Sequence, residues 1–94
     1  MTKTVKSAQF APTEVKSSFW DKEMLVATVQ SGENQVRVSA CTRKDVDWVS
    51  IREFYKAQNG EFLPGKHGLA IKREDPETLE NLIGALQFIK DCMV

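Results

Sequence analysis

The sequence predicts an α+β domain in which four antiparallel strands are followed by one C-terminal helix. Four stretches between Met24 and Arg73 place apolar residues at every second position, which is typical of half-buried strands. The stretch after Asp75 instead places apolar residues three and four positions apart, as on one side of a helix. A chain of 94 residues is expected to form a single domain.

The N-terminal residues 1–18 are predicted to be a flexible arm, and residues 19–94 the folded domain. No period is sustained before Phe19, and Ser, Thr and Lys are frequent around Pro12. The lysines of the arm could contact a nucleic acid, although such tails are more often only solvated. Trp20 is expected to cover the core at the edge of the sheet.

The first two predicted strands run from Met24 to Gln30 and from Gln35 to Arg43. Residues 31–34 between them form a turn, because glycine and asparagine tolerate positive φ. On the first strand, the residues expected to share one face are Leu25, Ala27 and Val29.

The third and fourth predicted strands are Trp48–Tyr55 and Leu69–Arg73. Residues 44–47 are expected to turn the chain into the third strand, and Asn59-Gly60 is a strong hairpin signal after it. Residues 63–68, Leu-Pro-Gly-Lys-His-Gly, are predicted to form a corner, because proline fixes φ and glycine permits a sharp bend.

Together the strands predict a sheet with two unlike faces, provided that no register error exchanges them. The aliphatic face comprises Val36, Val38, Ala40, Val49, Ile51, Leu69 and Ile71. The opposite face comprises Arg37, Ser39, Arg43, Ser50, Arg52 and Lys72, with Trp48 and Phe54. Arginine beside exposed rings suits a nucleotide, because guanidinium pairs with phosphate and rings stack on bases. The alternative is a second hydrophobic layer of Trp48 and Phe54 with Arg52 at its rim.

The predicted helix begins after Asp75, a good N-cap residue, with Pro76 in its first turn. Part of its apolar stripe is expected to cover the aliphatic sheet face. The residues predicted to form a dimer interface are Leu82, Leu86, Ile89 and Met93. Dimerisation would help so small a domain, which buries a limited fraction of its surface. The alternative is a helix that covers only its own sheet.

The net charge is zero, but its distribution is uneven. Residues 35–73 contain eight basic and four acidic side chains, whereas residues 74–94 contain one basic and five acidic. This asymmetry indicates an anionic partner on the sheet side, unless the two halves simply neutralise each other.

The sequence offers no sign of catalysis, metal binding or a cofactor. His67 is the only histidine and has no obvious nucleophile nearby, and Asp45 and Asp47 are more typical of a turn than of a metal site. Cys41 and Cys92 lack a metal-ligand spacing and are expected to be reduced thiols in an intracellular protein. No run is apolar enough for a membrane span or a secretory signal.

Several blocks of the chain resemble the positive cofactor four family of transcriptional coactivators. They are Ile51-Arg52-Glu53-Phe54-Tyr55, Gly60-Glu61, Pro64-Gly65-Lys66-His67-Gly68-Leu69-Ala70-Ile71 and Pro76-Glu77. The resemblance implies a curved antiparallel sheet, a C-terminal helix, a homodimer and binding of single-stranded DNA.

The resemblance also implies roles for individual residues. Arg52 matches an arginine on the family's DNA-binding face, and Lys66 matches the first basic residue of the corner. Tyr55 takes the place of a tryptophan, and His67 takes the place of a second basic residue. Residues 42–44, Thr-Arg-Lys, supply charge where the family usually has an aromatic residue before lysine.

The predicted function is sequence-nonspecific binding of single-stranded DNA, without a cofactor and without catalysis. The residues predicted to bind nucleic acid are Arg37, Arg43, Lys44, Trp48, Arg52, Phe54, Tyr55, Lys66, His67 and Lys72. The process served is DNA replication, recombination or repair, as suits a short bacterial or phage member, or transcription, as in eukaryotes. The site of action is then the cytoplasm and nucleoid, or the nucleus. Two alternatives are an RNA-binding module and an adaptor that docks acidic protein segments.

Overall fold

Five antiparallel strands form one sheet within residues 10–93, which are the residues that the computed structural model describes. The strands are β1 (Thr13–Val15), β2 (Lys22–Ser31), β3 (Asn34–Arg43), β4 (Val46–Lys56) and β5 (Phe62–Lys72), and the helix is α1 (Pro76–Cys92). Their order in the sheet is their order in the chain, so the connections make no crossover. The α+β class is confirmed, and the predicted number of four strands is wrong.

The additional strand, β1, lies inside the segment predicted as a flexible arm. Thr13 pairs with Leu25, and Val15 pairs with Glu23. Three residues are too few for an alternating pattern to be recognised, so the sequence carries no usable signal for this strand. Residues 1–9 of the predicted arm lie outside the described residues.

The two turns that flank β3 contain two residues each. Gly32 has a φ of 62°, as the first turn requires, and Ser31 pairs with Asn34 across it. In the second turn Lys44 and Asp45 have φ values of 52° and 65°. Residues other than glycine rarely adopt such positive φ values. The predicted turn over residues 44–47 is therefore shorter, and its last two residues belong to β4.

The predicted corner at residues 63–68 is part of β5 rather than a separate bend. The register between β4 and β5 shifts after Arg52, where one residue of β4 lies opposite three residues of β5. Pro64 is tolerated because β5 is an edge strand, whose outer side lacks a hydrogen-bonded neighbour in the sheet. The loop before β5 contains the predicted Asn59-Gly60 turn, with Gly60 at a φ of 91°.

The strand registers confirm the division into two faces. Val38 pairs with Ile51, which in turn pairs with Leu69, so these side chains share the aliphatic face. Arg37 pairs with Arg52 on the opposite face. Directly paired residues of antiparallel strands point to the same side, so each face continues across β3, β4 and β5.

The prediction for β2 is wrong in one respect, because its pairing with β3 contains an irregularity at Val26. Leu25 pairs with Ser39, whereas Ala27 pairs with Val38. The extra residue exchanges the two sides of the strand, so Leu25 lies on the basic face and Ala27 on the aliphatic face. A bulge of this kind cannot be recognised from the alternation of apolar residues in the sequence.

Helix α1 begins as predicted. The Asp75 side chain accepts a hydrogen bond from the Thr78 backbone N–H at 3.2 Å, and Pro76 is the first helical residue. This contact satisfies one backbone donor that the first turn leaves without a partner.

The prediction that α1 covers the aliphatic sheet face is wrong for the single chain. Within Pro76–Cys92 no residue is buried, and only Leu79 and Leu82 are half-buried. On the sheet, Val29 is 53% exposed and Leu69 46% exposed. Among residues 10–93, no helix is long and apolar enough to cross a membrane.

The most deeply buried residues lie on the basic face instead. They are Ser39, Cys41 and Ser50, with exposures of 2%, 1% and 5%. These short side chains lie on two neighbouring strands, β3 and β4, and Ser39 pairs directly with Ser50. The single chain therefore buries small, weakly polar groups and leaves much of its aliphatic surface accessible.

Candidate nucleic-acid interface

A groove of about 840 Å³ lies on the basic face of the sheet. Six of the ten residues predicted to bind nucleic acid line it, namely Arg37, Arg43, Lys44, Trp48, Arg52 and Phe54. We call this depression the sheet groove. These six residues come from β3, β4 and the turn between them, because the two strands present alternate residues to the same side.

The floor of the sheet groove consists of small residues, including Ser50, Gly65 and Ala70. Ser39 pairs with Ser50, and its buried hydroxyl oxygen has no hydrogen-bond partner among the described residues. Short side chains beneath long basic and aromatic ones give the groove its depth. A planar group can therefore lie between the walls rather than on a flat surface.

Cys41 adds no charge to this region. Burial raises the pKa of its thiol to about 11, and the Glu23 carboxylate contributes in the same direction, against a smaller opposing effect of Arg73. The thiol is therefore neutral near pH 7. An anionic ligand in the groove would meet no thiolate beneath it.

The arginines of the sheet groove are held by neutral groups. Arg52 donates from Nη1 to the Gly65 carbonyl oxygen at 3.0 Å. Arg37 donates from Nε and Nη2 to the Gln35 side-chain oxygen, at 3.1 and 3.0 Å, and its guanidinium carbon lies 4.2 Å from the centre of the Phe54 ring.

The ion pair found within residues 10–93 joins Arg73 to Asp47 at 3.1 Å and includes none of the groove arginines. No carboxylate within residues 10–93 forms an ion pair with these arginines, although Glu23 also lines the groove. Fixed guanidinium groups with donors to spare are well suited to phosphate, because each can form two parallel hydrogen bonds.

Trp48 is the central ring of the sheet groove. It pairs with Lys72 across β4 and β5, and the Lys72 ammonium nitrogen lies 5.8 Å from the ring centre. The Trp20 ring lies 6.3 Å from it, tilted by 48°. Trp20 was expected at the sheet edge; it is half-buried beside the groove instead.

Three predicted residues lie apart from the sheet groove. Tyr55, Lys66 and His67 line a second cavity of about 570 Å³ together with Glu53. Tyr55 pairs with Leu63 and follows Phe54, so strand alternation turns it toward the opposite face. The two cavities share Pro64 and Gly65, which places them on either side of the β5 edge.

The segment before β2 forms one wall of the sheet groove. The sequence interpretation allowed the lysines of the arm, including Lys16, to contact a nucleic acid, but it did not place this segment at the groove or give Phe19 a role. Lys16, Ser17, Ser18, Phe19 and Trp20 all line the groove. The adjacent aromatic pair Phe19-Trp20 was the available signal. Without a periodic pattern, however, nothing indicated which surface the pair would contact.

The described residues contain no cluster of His, Cys, Asp or Glu that could hold a metal ion. Cys41 and Cys92 are both free thiols. The groove offers a ligand charged groups, hydrogen-bond donors and aromatic rings.

A small antiparallel sheet with one helix presents a groove that offers positive charge and aromatic rings to an anionic ligand. Comparison with protein families matches residues 30–82 to the family described as Transcriptional Coactivator p15 (PC4). This match covers more than half of the chain, so the protein belongs to that family, whose domain binds single-stranded DNA and serves transcriptional coactivation. No significant match is found among curated proteins or among solved structures.

The family match confirms the resemblance seen in the sequence. It spans β3, β4, β5 and the first turns of α1. Strand β1 and the Phe19-Trp20 segment lie outside the matched residues, although both belong to the described fold.

Proposed function

We propose that this protein binds single-stranded DNA with little sequence preference, by laying the strand along the sheet groove. The observation that carries the proposal is the set of three arginines, Arg37, Arg43 and Arg52, that line one groove beside aromatic rings and form no ion pair within residues 10–93. Phosphate contacts from arginine are the same for every sequence, so the expected specificity is low.

The phosphates are bound by the groove arginines, with Lys44 and Lys72 beside them. Each neutralised phosphate releases condensed cations, so affinity falls as salt concentration rises. Because guanidinium groups hold their charge at any physiological pH, binding should change little between about pH 6 and pH 8 at this part of the site.

The bases stack on rings of the same groove. Trp48 and Phe54 stand beside Arg37 and Arg52, and both rings are only half-buried. Base stacking on such rings contributes about 1–3 kcal/mol per base. Bases of an intact duplex already stack on one another, which favours single strands or opened duplex.

The second cavity extends the path of the strand across the β5 edge. Lys66 and His67 supply charge there, and Tyr55, which is 45% exposed, supplies a ring. The shared residues Pro64 and Gly65 make the two cavities neighbours. Nine of the ten predicted residues line one or other cavity, and Lys72 lies beside the Trp48 ring. In this proposal the strand follows one track past all of them, with a bend at β5.

The active form is a homodimer in this proposal. The aliphatic sheet face and the stripe Leu82, Leu86, Ile89 and Met93 are both accessible in the single chain. Monomeric proteins rarely leave so much connected apolar surface in water. A second copy that covers both surfaces would leave the two sheet grooves outside the interface, able to hold two strands of opened DNA.

Transcriptional coactivation is the role that the family supports. Replication, recombination and repair use the same opened DNA, and a sequence-nonspecific binder serves any of them. A related RNA-binding role is tested by an oligoribonucleotide of the same sequence, which should bind less tightly.

The test is the binding of a labelled 20-mer single strand, and of its duplex, at two salt concentrations. Wild type should bind the single strand more tightly, and Arg52→Ala should weaken binding and lower the slope of log affinity against log salt by about 0.7. Arg73→Ala is the matched control, because Arg73 is paired with Asp47 and does not line the groove. Equal affinity for duplex and single strand, or equal effects of the two variants, would contradict the proposal.

A further inference from the structure

Phe19 is an exposed ring at the wall of the sheet groove, in the connection between β1 and β2. It is 55% exposed, although it lies in contact with a charged side chain. The Arg43 guanidinium carbon is 3.9 Å from its ring centre. The pair thus combines a flat apolar surface and a fixed positive charge at the end of β3.

The backbone around Phe19 is fixed by local hydrogen bonds. The Ser17 hydroxyl accepts the backbone N–H groups of Phe19 at 3.1 Å and of Trp20 at 2.9 Å. One serine thereby closes a tight turn that presents both rings on the groove side.

The same segment is attached to the β3–β4 turn by its next residue. The Asp21 backbone N–H donates to the Thr42 carbonyl oxygen at 2.9 Å. The Asp21 carboxylate accepts the Lys44 backbone N–H at 2.8 Å. These bonds hold the aromatic pair next to Arg43, so the ring's position does not depend on the cation–π contact alone.

Trp20 supports Phe19 from the side. The two rings meet edge to face, with centres 5.0 Å apart and an angle of 88° between planes. Trp20 in turn lies against Trp48, so three rings follow one another along the groove wall. Trp20 is half-buried between its neighbours, whereas Phe19 keeps more than half of its surface accessible.

We propose that Phe19 is a base-stacking residue, and that Arg43 binds the phosphate next to the stacked base. This inference rests on the proposed binding of single-stranded DNA at the sheet groove. The Arg43 guanidinium carbon is only 3.9 Å from the centre of the Phe19 ring, so a phosphate bound by the guanidinium N–H groups would lie next to a base stacked on that ring. Phe19 and Arg43 thus form a second stacking position beyond Trp48, and its ring is contributed by a residue outside the family match.

The experiment compares Phe19→Ala with Phe10→Ala in binding the 20-mer single strand. Phe10 is the matched control. It is 47% exposed, it also precedes β2 in the sequence, and it does not line the groove. Phe19→Ala should reduce affinity about 5- to 150-fold, the range expected for one stacked base, and Phe10→Ala should have no effect. Phe19→Trp should bind the strand about as tightly as wild type does, whereas Phe19→Leu should be weakened as Phe19→Ala is.

A 20-mer that lacks all bases separates stacking from other effects of the substitution. Wild type and Phe19→Ala should bind this phosphate backbone equally, because no base is present to stack. A loss that persists with the base-free strand would overturn the inference, since Phe19 would then act by positioning Arg43. Thermal unfolding followed by circular dichroism should show that both alanine variants remain folded.

The remaining outcomes are equally distinct. If Phe19→Ala binds the 20-mer as wild type does while Arg52→Ala is weakened, the inference fails and the proposed function stands. If Phe19→Ala binds more tightly, the segment obstructs the groove and the inference is overturned. If wild type binds no single strand, both the inference and the proposed function fail.

Discussion

The two cysteines differ strongly in burial. Cys41 is 1% exposed and its pKa is raised to about 11, mainly by burial, whereas Cys92 is exposed near the end of α1. Only the thiolate reacts readily with alkylating reagents. With iodoacetamide at about pH 8, we expect rapid modification of Cys92 and slow modification of Cys41, measured by peptide mass spectrometry. Both should react in urea, and equal rates in the folded protein would contradict the described burial.

Gly68 allows the close approach of β5 to β4. A Cβ atom at this position would lie 2.8 Å from the Ile51 carbonyl oxygen and 3.0 Å from the Arg52 guanidinium carbon. Gly68→Ala is therefore expected to lower the free energy of unfolding by about 1–3 kcal/mol, measured by urea denaturation at fixed protein concentration.

Gly84→Ala is the control for the Gly68 substitution. Nothing lies within 4 Å of a Cβ built on Gly84, and the residue is in a helix interior, about 200° around the axis from Leu82. Alanine there should raise stability by about 0.5–1 kcal/mol. If both substitutions changed stability in the same direction, the packing described at Gly68 would be wrong.

At the level of residues, the sequence predicted the groove lining where strands were regular. Arg37, Trp48 and Arg52 follow from alternation, since every second residue of a strand points the same way. The position of Phe19 could not be predicted in this way. Its place beside Arg43 depends on hydrogen bonds that the Ser17 and Asp21 side chains accept, in a segment without periodicity. Tyr55 was predicted by resemblance, and the structure places it at the second cavity.

Among the elements, α1 depends on Asp75 at its N-terminus. Hydrogen bonds from the Thr78 side chain and backbone lower the pKa of this carboxyl, because they favour its charged form. The lowered pKa means that ionised Asp75 stabilises the folded state above the ordinary value of 3.8, and that this contribution is lost as pH falls through the folded-state pKa.

The corresponding prediction compares wild type with Asp75→Asn, which keeps a capping side chain but carries no charge. The difference in unfolding free energy between the two proteins should be constant above about pH 5 and should shrink on acidification toward about pH 2. Urea denaturation followed by circular dichroism measures it. A difference independent of pH would show that the charge on Asp75 contributes nothing to the cap.

Elements with strong local signals were predicted well, and those that depend on neighbours were not. The helix start at Asp75-Pro76 and the turn at Asn59-Gly60 follow from local chemistry. Strand β1 and the irregularity at Val26 arise from pairing between strands, which a pattern along one chain does not contain. The pairing of β5 with β4 likewise explains why residues 63–68, predicted to form a corner, are part of β5.

For the whole molecule, the accessible apolar surface predicts self-association. Leu86 is 57% exposed and lies on the proposed interface stripe, whereas Phe88 is 60% exposed and lies about 200° further around the helix. Sedimentation equilibrium should show a dimer for wild type, a weaker dimer for Leu86→Ala and an unchanged one for Phe88→Ala. A monomeric wild type, or equal effects of the two variants, would remove the dimer from the proposal.

Each strand of the sheet pairs with the strand before it in the chain. This order has a consequence for the sequence of folding events. Every pairing joins segments that are adjacent in sequence, so loop closure is short at each step, and hairpins can form one after another without waiting for the C-terminus. On a ribosome, β2, β3 and β4 would pair while α1 is still being synthesised. The aliphatic surface would then form before the second chain that covers it in the proposed dimer. Formation of that dimer is the stage of folding that we expect to be slow and to depend on protein concentration.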